Sequence, residues 1–95
     1  MKVSNKVIEQ YEELCPVSYL KCDSITDIEY KIKRAVALGT KFAEHDGEKY
    51  IQYYHLQLTI QNGKVIDLTK NYDKYIEIRE TVKNAYDRLE GKLLV

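Results

Sequence analysis

The chain has 95 residues, which predicts a single domain, because a second hydrophobic core would not fit in this length. Its 15 Lys and Arg residues balance 15 Asp and Glu residues. Because the two signs are mixed along the whole chain, no segment has the field that attracts nucleic acid, an anionic membrane or a charged substrate from a distance.

The first residues lead into a charged helical pattern rather than an apolar leader, and no apolar run reaches the length of a membrane span. We therefore expect a cytoplasmic protein with no membrane partner. In that compartment Cys15 and Cys22 are expected to be reduced, partly buried thiols, with a disulfide or a redox pair as the alternative. Frequent Lys, Tyr, Ile and Asn, which have AT-rich codons, favour an AT-rich microbial or viral genome.

Two helices are predicted in the first half of the chain. The first runs from about Ser4 to Leu14, where apolar residues recur at helical spacing, and Pro16 prevents its continuation. The second begins at a capping Ser24 and ends at Gly39. Between them, Pro16 to Cys22 is predicted to be a short strand.

Residues 40–69 are predicted to form a three-stranded antiparallel meander. The first turn is Asp46-Gly47, a strong hairpin dipeptide that sets Glu44 opposite Lys49 and Phe42 opposite Ile51. The middle strand would be very long, so we expect a bulge or bend near Tyr53-Tyr54.

The second turn of the meander is predicted to be a three-residue loop, Gln61-Asn62-Gly63, which sets Leu58 opposite Ile66. Alternation of apolar and polar residues along the middle strand predicts one buried face. The buried side chains of that face are expected to be Leu56, Leu58, Ile66 and Leu68.

A last helix is predicted over 72–90, capped by Asn71 or Asp73 and ended by Gly91. The apolar tail 93–95 has no predicted place in the fold. The predicted buried stripe of this helix consists of Tyr75, Ile78, Val82, Ala85 and Leu89.

The predicted fold is therefore α+β, with three helices and a three- to four-stranded antiparallel sheet. From Ser24 onward its α-β-β-β-α order resembles a double-stranded-RNA-binding domain, a family with a lysine cluster at the start of its last helix. The corresponding stretch here is Lys70 to Lys74. With a strand at Val17, the order also resembles the β-α-β-β-β-α ribosome-hibernation factors. These resemblances imply binding to RNA or to the ribosome.

The outer face of the middle strand is the candidate binding surface. Polar residues there carry no charge of their own, and tyrosines at one end offer large, rigid contact area with a polar tip. The alternative is a face covered by the first helix. The candidate binding residues are Tyr50, Tyr53, His55, Gln57 and Thr59.

Few residues suggest catalysis. Glu44-His45-Asp46 contains acid–base groups at a hairpin tip, and His55 near Asp67 is a diagonal base–carboxylate pair at best. Cys15, Cys22 and the two histidines lack the spacing of a zinc site. We therefore expect no enzyme, no metal and no cofactor.

The leading hypothesis is a non-enzymatic module that occupies the surface of another protein, such as a small regulator or inhibitor encoded by a phage or mobile element. The competing hypotheses are RNA or ribosome binding and a homodimer formed through the same face or the 93–95 tail.

Overall fold

The structure is a computed structural model that describes residues 1–91. Within this range the chain forms four helices and five strands. In chain order the elements are β1 (Lys2–Val3), α1 (Asn5–Leu14), α2 (Pro16–Leu20), α3 (Ile25–Leu38), β2 (Thr40–His45), β3 (Glu48–Tyr53), β4 (Leu56–Gln61), β5 (Lys64–Lys70) and α4 (Glu80–Leu89).

The strands form one mixed sheet in the order β1-β5-β4-β3-β2. β1 runs parallel to β5, and the other three pairs are antiparallel. The α+β class is confirmed, but the predicted sheet of three or four antiparallel strands and the predicted count of three helices are wrong in detail. The α-β-β-β-α order is replaced by helices that flank four consecutive antiparallel strands.

The two predicted helices α1 and α3 are confirmed, each with a serine cap. Ser4 Oγ accepts from the Val7 amide, and Ser24 Oγ accepts from the Asp27 amide, both at 3.3 Å. Gly39 ends α3, but its φ of −72° is not left-handed. Glycine is needed there because an added Cβ would lie 2.5 Å from Ile51 Cγ2.

Pro16 to Cys22 is not a strand, and the prediction for this segment is wrong. Pro16 stands at the first position of α2, where proline's fixed φ suits a helix and its missing N–H costs no hydrogen bond. The same proline that ends α1 therefore starts the next helix. No helix within residues 1–91 is long and apolar enough to cross a membrane.

The long middle strand of the predicted meander is divided into β3 and β4 by a two-residue turn, Tyr54-His55. Tyr53 pairs with Leu56 across this turn, and Tyr54 adopts a left-handed φ of 55°. The bend expected near Tyr53-Tyr54 is therefore a full reversal of direction. It adds one strand and places the two halves of the stretch side by side.

The other two turns of the sheet are both two-residue turns with positive φ at each central residue, as in type I′ hairpins. Asp46-Gly47 is confirmed, and Glu44 lies opposite Lys49. A bulge at Phe42 places Lys41, not Phe42, opposite Ile51.

The predicted three-residue loop after β4 is wrong, because Asn62-Gly63 is a two-residue turn with Gln61 opposite Lys64. A bulge at Ile66 then restores the apolar alternation, so Leu58 lies opposite Leu68. Ile66, predicted to lie in the core, is only half-buried.

The core lies between one face of the sheet, called the inner face, and the helices α1 and α3. Val7 and Tyr11 of α1 meet Ile32 of α3 within it. The inner face contributes the side chains of Ile51, Tyr53, Leu58, Ile60, Val65 and Leu68.

The last helix is shorter than predicted and packs with its polar side. It begins at Glu80 rather than at residue 72, and Val82 of its predicted buried stripe is 44% exposed. Asp87 is its one buried residue. The Asp87 carboxylate accepts a hydrogen bond from the Tyr30 hydroxyl. It also accepts two from Arg34 Nη1, at 2.9 Å on Oδ2 and 3.1 Å on Oδ1. An ion pair therefore joins α4 to α3. The predicted tail 93–95 lies outside the described residues.

Leu58→Ala should lower the free energy of unfolding by about 2–5 kcal/mol, because Leu58 is 1% exposed and its truncation leaves a cavity. Val82→Asp, which the sequence pattern predicts to be damaging, should cost less than about 1 kcal/mol at its exposed position near the start of α4. Urea denaturation of both variants measures this. Equal losses would mean that Val82 is buried.

Candidate functional site

The face of the sheet opposite α1 and α3, called the outer face, carries a contiguous set of polar side chains. Tyr50 pairs with Thr59, and Gln52 pairs with Gln57 on the neighbouring strand. These four side chains alternate with the buried residues of the inner face. Because α1 packs against β5 through the core, the first helix does not cover this face.

The structure brings together three of the five predicted binding residues. Tyr50, Gln57 and Thr59 are half-buried neighbours on the outer face. Tyr53 points the other way and is 6% exposed within the core, so its prediction as a surface residue is wrong. His55 lies in the turn at the end of this face, where its Nδ1 lies 2.9 Å from the Lys74 carbonyl oxygen.

Gln52 fastens the segment 71–79 to the end of the outer face. Its side chain is 1% exposed, and Nε2 donates to the carbonyl oxygens of Tyr54 at 2.6 Å and Lys74 at 3.4 Å. Tyr54 and Ile76 exchange backbone hydrogen bonds beside it. The segment predicted as the first turns of the last helix is thus an extended strap along the sheet.

Aromatic rings cluster where this strap meets the outer face. The His55 ring lies 4.8 Å from Tyr75 and 5.6 Å from Tyr72, which are 54% and 75% exposed. On the β2 side, Phe42 lies 6.2 Å from the ring of Tyr50. Tyr50 and His55, unlike the predicted end residue Tyr53, therefore belong to a larger group, called the aromatic rim: Phe42, Tyr50, His55, Tyr72 and Tyr75.

Charged groups surround the centre of the outer face without entering it. Tyr50 donates to Glu48 at 2.7 Å, and this hydrogen bond raises the pKa of Tyr50. Asp67, opposite Thr59, accepts from Gln10 at 2.9 Å, and that bond lowers the pKa of the carboxyl. The tyrosine thus stays neutral and the aspartate ionised, each with a partner of its own.

Sequence reasoning missed Phe42, Tyr72 and Tyr75 as surface residues. Tyr72 and Tyr75 fit the apolar spacing of a helix, so the turn at the start of the segment 71–79 was not predicted. A signal was present in Asn71, whose side chain accepts from the Asp73 amide at 3.0 Å. This Asx turn is the local alternative to the helix cap that the same residue predicts.

The groups considered for catalysis are not assembled into an active site. His45 Nε2 lies 3.0 Å from Asp46 Oδ2 at a solvated hairpin tip, where the two side chains are 80% and 85% exposed. Asp67 lies opposite Thr59, which is four residues beyond His55 in the chain. No hydrogen bond joins His55 to Asp67. Among residues 1–91, no group of three or more His, Cys, Asp and Glu side chains could hold a metal.

The two cysteines are free and half-buried, next to Ser18. Burial raises the pKa of the Cys15 thiol. Cys22 donates to the Ser18 carbonyl oxygen at 3.3 Å. The Cys15 thiol is therefore held in the protonated, weakly nucleophilic form.

No protein-family model matches the sequence. No curated protein and no solved structure matches the chain significantly.

Gln52→Ala should lower the free energy of unfolding by about 1–3 kcal/mol, because it removes a buried donor from two carbonyl oxygens. It should also speed hydrogen exchange at the amide of Ile76, which the strap holds against Tyr54. Gln57→Ala, on the same face but half-buried, is the matched control and should change stability by about 0.5 kcal/mol or less. Unchanged exchange at Ile76 would show that the strap is held without Gln52.

Proposed function

We propose that this chain is a non-enzymatic protein-binding module that acts in the cytoplasm by covering part of another protein's surface. The supporting observation is the outer face, which no helix of residues 1–91 covers and which combines an uncharged centre with the exposed aromatic rim. Such a module suits a small regulator or inhibitor. The AT-rich codon preference of the composition favours a phage or mobile element as its source.

The aromatic rim supplies the energetic part of the proposed contact. Tyrosine offers large contact area with little side-chain entropy to lose, and interfaces concentrate their binding energy in a few such residues. Tyr72 and Tyr75 are the most exposed members, and both flank His55. Covering them would remove apolar area from water, and each hydroxyl offers the partner a hydrogen bond.

The centre of the outer face determines the kind of partner. Gln57 and Thr59 present amide and hydroxyl groups, and the nearby acids are already hydrogen-bonded or paired within the chain. A charged partner surface would gain little there. We therefore infer a partner that presents apolar and neutral hydrogen-bonding groups.

A second candidate function is the binding of single-stranded RNA. The Lys74 ammonium lies 4.6 Å from the centroid of the Phe42 ring, and the Lys70 ammonium lies 5.9 Å from that of Tyr72. Cations beside exposed rings suit bases that stack and phosphates that pair. Protein binding is favoured because the net formal charge is zero, whereas RNA-binding surfaces are strongly basic.

The double variant Tyr50→Ala, Gln57→Lys should abolish capture of the partner from host lysate and leave the melting temperature within about 3 °C of the wild type. Tyr53 is unsuitable for this test because it is buried in the core. Asn84→Lys, an exposed change on α4, is the control and should capture as the wild type does. Mass spectrometry identifies the retained protein.

Nuclease treatment and salt separate the two candidate functions. A protein contact through the outer face should survive nuclease and change by less than about threefold between 50 and 200 mM salt. RNA binding should instead be lost with nuclease and weaken steeply with salt. A wild-type chain that captures nothing and forms a dimer in light scattering would contradict the proposal in favour of self-association.

A further inference from the structure

A cavity of about 220 Å³ lies between α3 and the inner face of the sheet, away from the outer face. Cys15, Ser18 and, from α4, Lys83 are among its lining residues. Its lining includes the apolar core residues Ile32, Leu58 and Leu68, each 1% exposed. Its volume exceeds the roughly 150 Å³ of an apolar cavity that binds benzene.

The walls of the cavity are cationic. Lys31, Arg34 and Lys83 line it, and no Asp or Glu is among the described residues of its lining. Lys31 and Arg34 are three residues apart on α3, so their side chains leave the same side of the helix. Tyr11 adds a hydroxyl that is hydrogen-bonded to Ser18 next to them.

Two of these cations already have carboxylate partners outside the lining. Arg34 Nη1 is paired with Asp87 at 2.9 Å, and Lys83 is paired with Glu80 at 2.8 Å. Lys31 differs, because its ammonium donates to two neutral oxygens of Ser18 at 3.2 and 3.4 Å. Within residues 1–91 Lys31 has no carboxylate partner.

Arg34 also retains an unused donor. Its Nε atom is buried and has no hydrogen-bond partner among the described residues. Buried donors are almost always hydrogen-bonded, and a charged donor gains most from an anionic acceptor. Within residues 1–91 the Lys31 ammonium thus lacks a carboxylate partner and the Arg34 Nε–H lacks an acceptor, and both side chains leave the same side of α3.

We propose that this cavity binds a small organic anion, with its carboxylate or phosphate on Lys31 and the Nε of Arg34. The apolar body of the ligand, about ten non-hydrogen atoms including the headgroup, lies against Leu58 and Ile32, as the volume allows. This site is distinct from the outer face and does not depend on the protein-binding proposal.

The test is a titration of the isotope-labelled full chain, followed by amide NMR shifts, with three probes of one shape class. Benzoate and phenyl phosphate carry the two anionic headgroups, and benzamide is the neutral counterpart of benzoate. At least one anion should bind at least about tenfold more tightly than benzamide, since a charge-assisted hydrogen bond is lost with the charge. The shifts should centre on Ile32, Leu58 and Leu68.

Lys31→Met should weaken binding of the preferred anion at least about tenfold, while keeping the length of the side chain. Lys33→Met, which removes the same charge from the same helix outside the cavity lining, is the control and should change the affinity by less than about twofold. The comparison of benzoate, phenyl phosphate and benzamide uses the wild-type chain, so it tests the proposal even if Lys31→Met fails to fold.

Three results would overturn the proposal. Equal binding of benzoate and benzamide, with phenyl phosphate no tighter, would show that no anion is recognised. An equal loss in Lys31→Met and Lys33→Met would show general attraction to the surface rather than a site. Absence of shifts at Ile32, Leu58 and Leu68 up to about 10 mM of each probe would show that the cavity takes none of them.

Discussion

The left-handed backbone of Tyr54 is the constraint on which the arrangement of the sheet depends. Its φ of 55° is rare for a bulky residue and costs on the order of 1–3 kcal/mol. Two backbone hydrogen bonds exchanged with Ile76, and a third from its hydroxyl to the Ile78 carbonyl oxygen at 2.7 Å, offset that cost. Without this turn, β3 and β4 would be one strand and could not pair with each other.

The same turn decides which side chains face which way, because a strand alternates at every residue. Pairing of Tyr53 with Leu56 sends both side chains inward, and it sends Gln52 and Gln57 outward as a pair. Tyr54 itself lines the cavity, whereas the next residue, His55, belongs to the aromatic rim. The Tyr54-His55 turn therefore determines which side chains line the cavity and which lie on the outer face. Ligands of the two sites need not interact.

The sequence predicts correctly those elements whose structure is determined by neighbouring residues, and it fails where a distant contact determines the structure. The caps and apolar spacing that predict α1 and α3 are local, and both helices form where predicted. Alternation likewise placed Gln57 and Thr59 on one surface, whereas Tyr50 was predicted to be a binding residue because no apolar stripe accounted for it. Tyr54-His55 contains none of the residues that favour tight turns, so its reversal follows from Ile76, which lies far along the chain. Because this turn was not predicted, the inward position of Tyr53 was not predicted either.

The last helix shows why amphipathic spacing alone cannot choose the buried side. Its apolar residues face solvent because Asp87 attaches it to Tyr30 and Arg34 of α3. Apolar residues of equal volume would hold two helices together as well or better, since desolvating an ion pair consumes most of its attraction. An apolar pair could not, however, place a guanidinium on the cavity wall. The Arg34–Asp87 ion pair therefore does more than join α3 to α4, because it also fixes the position of the guanidinium beside the cavity.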